Sequence, residues 1–470
     1  MITKMRKYSR VGSHEPVVFL SYFGSKWKKL FFACITLFLF CNIVFSDINI
    51  FAQSNDSGSG EIIRRVLDNG LTILVKPSSA NEVVAVTAFT GMGGIYEPLN
   101  QRGLSKLMQS ILIKGTTTRN AREIVFETES VGASLDAGLA GYGRGVVTLK
   151  TTLSGLDTGL KVFSDVILHP IFSDTEVAKE KELMIQQLSA AGDQPVNVAY
   201  ENYLHLFYGD YPIGIKSGTI AGMIAKITRE DILNWYRQVY VPNNMVITVV
   251  GKVDPERIIN RFQDDFGELE RGSLFQPMKA NVATGDEDRQ IIQTRDSQAL
   301  FMILGYPAPD IFDRDYPVME VISYILGGDM GSRLFMELRD KKGLAYNVST
   351  GYYPSNYPGN IYAFMATAPE NYQTAKNGIV AEFTKLTSEL IPDDELAMAK
   401  EAIKGGFLMG HETNMDQCRI LGGYELLGLG FGHDLLYSKL VERVTSEDIR
   451  RVARKYFQHY TLSVVSPGEY

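Results

Sequence analysis

The chain has 470 residues, 45% hydrophobic and 21% charged, the balance of an ordinary globular protein with length for about three domains. A net charge of −7 and a pI near 5.6 argue against the basic face that a nucleic-acid partner requires. Of its three cysteines, Cys34 and Cys41 fall in an apolar segment near the N-terminus and only Cys418 lies beyond it, so the main body has neither an intrachain disulfide nor a cysteine-based zinc site.

Residues 1–29 are basic, with Lys4, Arg6, Lys7, Arg10, Lys26, Lys28 and Lys29 against the single acid Glu15, and residues 30–46 then run without a charge. A basic leader before a short apolar core is a secretory signal pattern. Residues 1–52 are therefore expected to be a signal peptide cleaved near Ala52 or, alternatively, an inner-membrane anchor through 30–46. Either way the body faces the exported side, which predicts a periplasmic protein. The polar stretch 53–60 is a spacer.

Residues 61–272 form one expected domain. Asp68, Asn69 and Gly70 make a turn between two short strands, the second over 71–76. A β-branched strand follows over 83–90. Leu104, Leu107, Met108, Ile111 and Leu112 then recur at helical spacing, so the segment 101–115 reads as an amphipathic helix. Asn120 caps the next helix, and 134–139 with 145–152 make a hairpin around a Gly-rich turn. Several helices lead to an apolar strand at 245–250, and Pro255 opens a last helix. The stretch 273–288 is a linker.

From residue 289 to 470 the pattern repeats. Residues 227–232, ITREDI, match 444–449, VTSEDI; each has a Thr that can cap a helix with an Asp three residues on, and each helix precedes a strand. Two homologous α+β domains explain this best, each a mainly antiparallel sheet with helices packed on it.

On the helix at 101–115, Lys106, Gln109 and Ser110 share a face. Met92-Gly93-Gly94-Ile95-Tyr96-Glu97-Pro98 precedes them and Lys114-Gly115-Thr116 follows. This frame resembles the metal-binding helix of the pitrilysin family, which includes insulysin and the mitochondrial processing peptidases. In active members the helix carries His-x-x-Glu-His, two imidazoles for zinc and a Glu that activates its water. Here Lys106 and Ser110 stand at the His positions and Gln109 at the Glu. The family's third ligand, a Glu roughly 75 residues on, is matched by Gln187, 77 residues after Ser110. An ammonium repels a dication, a hydroxyl is a poor zinc ligand at neutral pH, and an amide takes no proton from water. Four altered positions together predict a chain without zinc or other cofactor of its own; otherwise the helix is a core helix with a polar edge.

A second family stretch appears at 332–346, SRLFMELRDKKGLAY, where Arg339 and Tyr346 match an Arg and a Tyr seven residues apart. In active members this pair lies in the domain opposite the zinc. It binds substrate and the developing oxyanion, which calls for a cation and a phenol donor. Some members divide the work between two chains, one bearing His-x-x-Glu-His and the other the Arg–Tyr pair. The resemblance therefore implies a peptidase subunit inactive alone, paired with a homologous zinc-bearing subunit and acting on an extended peptide. It also implies peptide addition at a sheet edge near 134–139, although Gly138, Gly141, Gly143 and Gly145 should soften that strand. A catalytically inert scaffold or a stand-alone peptide-binding protein of the same fold is the alternative.

Three features carry no such weight. Residues 327–331, GGDMG, lack the Lys and Ser/Thr of a phosphate-binding loop; Met415 follows His411-Glu412 where a second ligand would be; and His169, His205, His433 and His459 are scattered.

Overall fold

The computed structural model describes residues 60–279 and 287–468. The leader, Cys34, Cys41 and most of the spacer lie outside the described residues, as does the middle of the linker.

The first half builds a six-stranded sheet from β1 (Ile63–Val66), β2 (Thr72–Pro77), β3 (Val83–Gly91), β4 (Ser134–Leu139), β5 (Arg144–Thr152) and β6 (Met245–Gly251), in the order β1-β2-β6-β3-β5-β4. The second builds a five-stranded sheet from β7 (Arg289–Thr294), β8 (Leu300–Ala308), β9 (Ala345–Tyr352), β10 (Gly359–Thr367) and β11 (Thr461–Ser466), in the order β7-β11-β8-β10-β9. Without β1 the two orders are identical. Each sheet has one parallel pair, β2 with β6 and β7 with β11, and is otherwise antiparallel. The repeated capping sequence is present as two capping boxes. Thr228 and Asp231 open one helix and Thr445 and Asp448 the other, and each helix leads to the parallel-paired inner strand.

In the first half the helices are α1 (Leu104–Leu112), α2 (Ala121–Glu129), α3 (Leu156–Leu168), α4 (Asp174–Asp193), α5 (Pro195–Tyr208), α6 (Ser217–Ile224), α7 (Arg229–Val239) and α8 (Pro255–Phe266). The second half has α9 (Tyr316–Gly327), a π-helical segment (Phe335–Lys341), α10 (Tyr372–Ser388), α11 (Asp393–Met409), α12 (Asn414–Leu427), α13 (His433–Glu442) and α14 (Ser446–Tyr456). One core packs Phe163, Trp235, Phe262 and α1's apolar face onto the first sheet; a second packs Met319, Phe383 and Val452 onto the other.

The opposite face of each sheet is covered by a helix from the other half. Helix α12 lies on β3 and β6, with Leu421 beside Leu74 and Val246, and Cys418 among Ala85 and Val250. Asn414 Nδ2 donates to Val83 O at 2.7 Å. The approach is close: a Cβ on Gly422 would meet Thr248 at 2.7 Å and Phe89 at 2.8 Å. Helix α5 lies on β11, β8 and β7, with Tyr203 and Phe207 packed near Ile303 and Val465. Tyr203 OH donates to Asn360 Oδ1 at 3.1 Å, and Asn202 Nδ2 to Gln293 Oε1 at 2.8 Å. Since α5 and α12 hold equivalent places in their repeats, the halves exchange one helix each. Nothing local in the sequence of either helix says which sheet it covers.

Helix α9 backs the edge strand β9 and buries an acid there. Burial pushes the Glu320 carboxyl up to about 7, although Tyr437 donates to it; its Oε2 is enclosed without a partner. Between about pH 4.5 and 7 the folded state therefore favours the protonated carboxyl where the unfolded chain favours the carboxylate. Stability from this group is full below about pH 4.5 and falls as pH rises toward 7, by on the order of 3 kcal/mol.

Two outcomes are expected. Glu320→Gln should flatten the fall in melting temperature between pH 5 and pH 8. Expressed separately, the two halves should aggregate, because each leaves one sheet face bare, and co-expression should recover a soluble complex on gel filtration.

Candidate functional site

Helix α1 starts without a side-chain cap of its own, since Gly103 stands at its N-cap in the left-handed region with φ 92°. Glu97 supplies the missing acceptors. Its buried carboxylate accepts from Gly103 N at 2.9 Å and Ser105 N at 2.6 Å, an acid at the positive end of the helix. Burial raises its pKa, and those donors together with Arg102 oppose the rise. Trp235 Nε1 donates to Ser105 Oγ at 2.9 Å and ties α1 to α7.

The sequence-predicted zinc positions lie on this helix and on α4, which packs against it. Gln109 is 1% exposed and fully engaged. Its Nε2 donates to Gly138 O at 3.0 Å and approaches Val146 O at 3.5 Å, while its Oε1 accepts from Tyr240 OH at 2.7 Å. The amide joins α1 to strands β4 and β5. Ser110 Oγ donates to Leu107 O at 2.8 Å within its own helix. Lys106 and Gln187 are exposed. The donor set is thus an ammonium, a spent amide, a spent hydroxyl and an exposed amide, which does not suit a zinc ion. Among the described residues no group of three or more His, Cys, Asp and Glu is placed to hold a metal.

Strand β4 forms the edge of the first sheet and pairs with β5 alone. The expectation of a softened strand does not hold here: the ladder is regular from Ser134↔Lys150 to Leu139↔Gly145. Gly141 sits in the turn at φ 69°, and Gly138 is held within the strand by Gln109.

Arg339 and Tyr346 lie in the second half, where the π-helical segment packs on β9 and α10. Gly343, at φ 62°, ends the segment, and Leu344 N closes it on Leu338 O at 2.8 Å. Strand β9 begins one residue later. Tyr346 is 63% exposed on this sheet edge. Arg339 is exposed too, with its guanidinium carbon 4.9 Å from the Phe335 ring centroid. Neither side chain makes a hydrogen bond or ion pair among the described residues, so each keeps its donors free, the phenol on the sheet edge and the guanidinium on the segment that packs against that strand.

Three contacts escaped sequence reasoning. The Gln109–Tyr240 bond spans 131 residues and the Glu97 cap precedes its helix, so neither has a periodic signal. Phe335 and Arg339, four apart, carried a spacing signal for their contact.

Gln109→Glu should not create a metal site. A carboxylate there would face two carbonyl oxygens, costing about 1–3 kcal/mol of stability. Because burial would raise its pKa, the loss should be larger at pH 8 than at pH 5. Thermal melts at both pH values, with zinc analysis of the purified variant, check this.

Two family models match the chain: "Insulinase (Peptidase family M16)" over residues 72–217 and "Peptidase M16 inactive domain" over residues 226–403. A Rickettsia felis protein named an uncharacterized zinc protease is 27% identical over 409 residues, covering 86% of this chain and 97% of that protein. The Bacillus subtilis uncharacterized zinc protease YmxG is 24% identical, with 87% and 98% covered. Among solved structures, a protease from Helicobacter pylori superposes with a TM-score of 0.80 at 21% identity, and a peptidase M16 inactive domain from Pseudomonas fluorescens with 0.79 at 20%; each covers 87% of this chain and 99% of the other. These likenesses show the same fold. With the two models covering most of the described residues, the chain belongs to peptidase family M16.

Proposed function

We propose that this chain is the non-metal-binding subunit of a heteromeric zinc-dependent peptidase. The partner is a homologous chain that carries the zinc. Arg339 and Tyr346 supply substrate and oxyanion contacts to its active site, and neither chain hydrolyses peptides alone. The observation that carries this reading is the contrast between the two sites. Gln109 and Ser110 have spent their hydrogen-bonding groups on structure, whereas Arg339 and Tyr346 are exposed and keep every donor free. A developing oxyanion needs such donors, held in place beforehand.

The substrate is an extended peptide. The unpaired outer side of β4 is a regular strand edge of the kind to which a peptide adds by main-chain hydrogen bonds. We place the protein in the periplasm, exported or anchored by its N-terminal segment. An inert scaffold would have no use for a free Arg–Tyr pair, which favours the peptidase reading over that alternative.

Metal analysis of the purified chain should find no stoichiometric zinc, and the chain alone should cleave nothing. Mixed with a zinc-bearing homologue from the same organism, it should support proteolysis. Arg339→Ala or Tyr346→Phe should lower turnover of the mixture by roughly 10²–10³-fold. Unchanged turnover in both variants, or hydrolysis by the isolated chain, would overturn the proposal.

A further inference from the structure

We infer that Phe335 is the positioning residue for Arg339: its ring fixes the guanidinium in place without consuming any N–H donor. The inference rests on the role proposed above for Arg339 and adds what holds that side chain ready.

An exposed arginine has several rotatable bonds, and an oxyanion contact needs it in one place beforehand. A carboxylate would hold it but would also occupy the donors and cancel the charge. Acids on the same segment and on the helices of this half are engaged elsewhere. Glu337 pairs with Lys341 on the same segment, Glu395 accepts two bonds of 2.7 Å from Arg333, and Glu382 on α10 pairs with Lys385 at 2.6 Å. Asp340, next in sequence, makes no bond to Arg339. The contact left to Arg339 is the Phe335 ring, with Cζ 4.9 Å from its centroid, inside the range of about 6 Å over which a cation is drawn to an aromatic face. A ring binds a cation through its face and leaves the N–H edge open.

The ring is anchored. Phe335 is partly buried and packs against the second core, and Leu338 between the two residues is fully buried. The π-helical winding also matters. One residue added to a helical turn rotates everything after it by about 100°, and such turns gather at functional sites. The segment is tied at its end by the Leu344–Leu338 bond before β9 presents Tyr346. An anchored ring, the guanidinium on it and the phenol thus occupy one short stretch closed at its C-terminal end.

The test measures initial rates for the mixture with the zinc-bearing homologue, on an internally quenched fluorogenic peptide. Phe335→Leu should lower kcat on the order of 3- to 30-fold, the range a cation–ring contact supplies, with a smaller change in KM. Phe335→Tyr, which keeps the ring, should stay near the parent rate. Phe335→Met fills the space without a π face and should match Phe335→Leu, which guards against a folding defect in one variant. In an Arg339→Ala background, Phe335→Leu should add no further loss. The inference is overturned if Phe335→Leu and Phe335→Met are as fast as the parent, if the loss persists undiminished in the Arg339→Ala background, or if Phe335→Tyr loses as much as Phe335→Leu. Should Arg339→Ala alone leave the rate unchanged, or the mixture prove inactive, the parent reading falls and this one with it. A slow Arg339→Ala beside a fast Phe335→Leu sinks this inference alone.

Discussion

Each sheet is sealed by a helix that the other half provides, and the rest of the structure depends on this exchange. A sheet with helices on one face still has an apolar second face to bury. Here α12 buries that of the first sheet and α5 that of the second. Buried aliphatic and aromatic area supplies the favourable term. The polar groups that must enter with it are mostly paired across the halves, Asn414 with Val83, Asn202 with Gln293 and Tyr203 with Asn360. The hydroxyls of Thr248 and Ser463 are left buried without partners, on corresponding strands β6 and β11. With α5 and α12 interlocked in this way, each half keeps its own core and the two form one compact unit.

Against that frame the two candidate sites differ in how their polar groups are satisfied. Helix α1 is tied from several directions, by Glu97 at its start, by Trp235 through Ser105 and by Tyr240 and Gly138 through Gln109. An amide suits the last position because it donates to carbonyls and accepts from a phenol at once. An ionised Glu could accept from the phenol but would repel the carbonyls. The residue that fails as a catalytic base is well fitted as a brace between the helix and the strand edge.

Much of the fold was legible because its signals are local. Turn residues and β-branched or apolar runs marked the strands, spacing of Leu104, Leu107, Met108, Ile111 and Leu112 marked α1, and the two Thr–Asp capping boxes marked the repeat. The helix exchange was not legible. The sequence of a helix can say that it is buried but not against what, and nothing local in α5 or α12 tells which sheet each covers. The strength of β4 was underread for a similar reason. Glycine's cost in a strand is a local term, and here it is offset by the Gln109 bond from a helix far away in sequence. At the sites, the unsuitability of Lys106, Gln109, Ser110 and Gln187 as zinc donors could be read residue by residue, because it follows from side-chain chemistry. Their new bonding could not, because it depends on Tyr240, 131 residues on.

Exposure of Arg339 and Tyr346 would by itself mean little, since a solvated cation and phenol cost nothing to leave unpaired. Their setting is what separates them from ordinary surface residues. A free arginine usually gains modestly by pairing with an acid, yet Glu337, Glu395 and Glu382 are matched to other cations. What remains to Arg339 is an aromatic face, an interaction that steadies the charge without neutralising it. A protein built only to present a smooth outer surface gains nothing from this arrangement. One that must offer charge and donors to a group arriving from another chain gains the ordering in advance, and so has less entropy to lose when the contact forms.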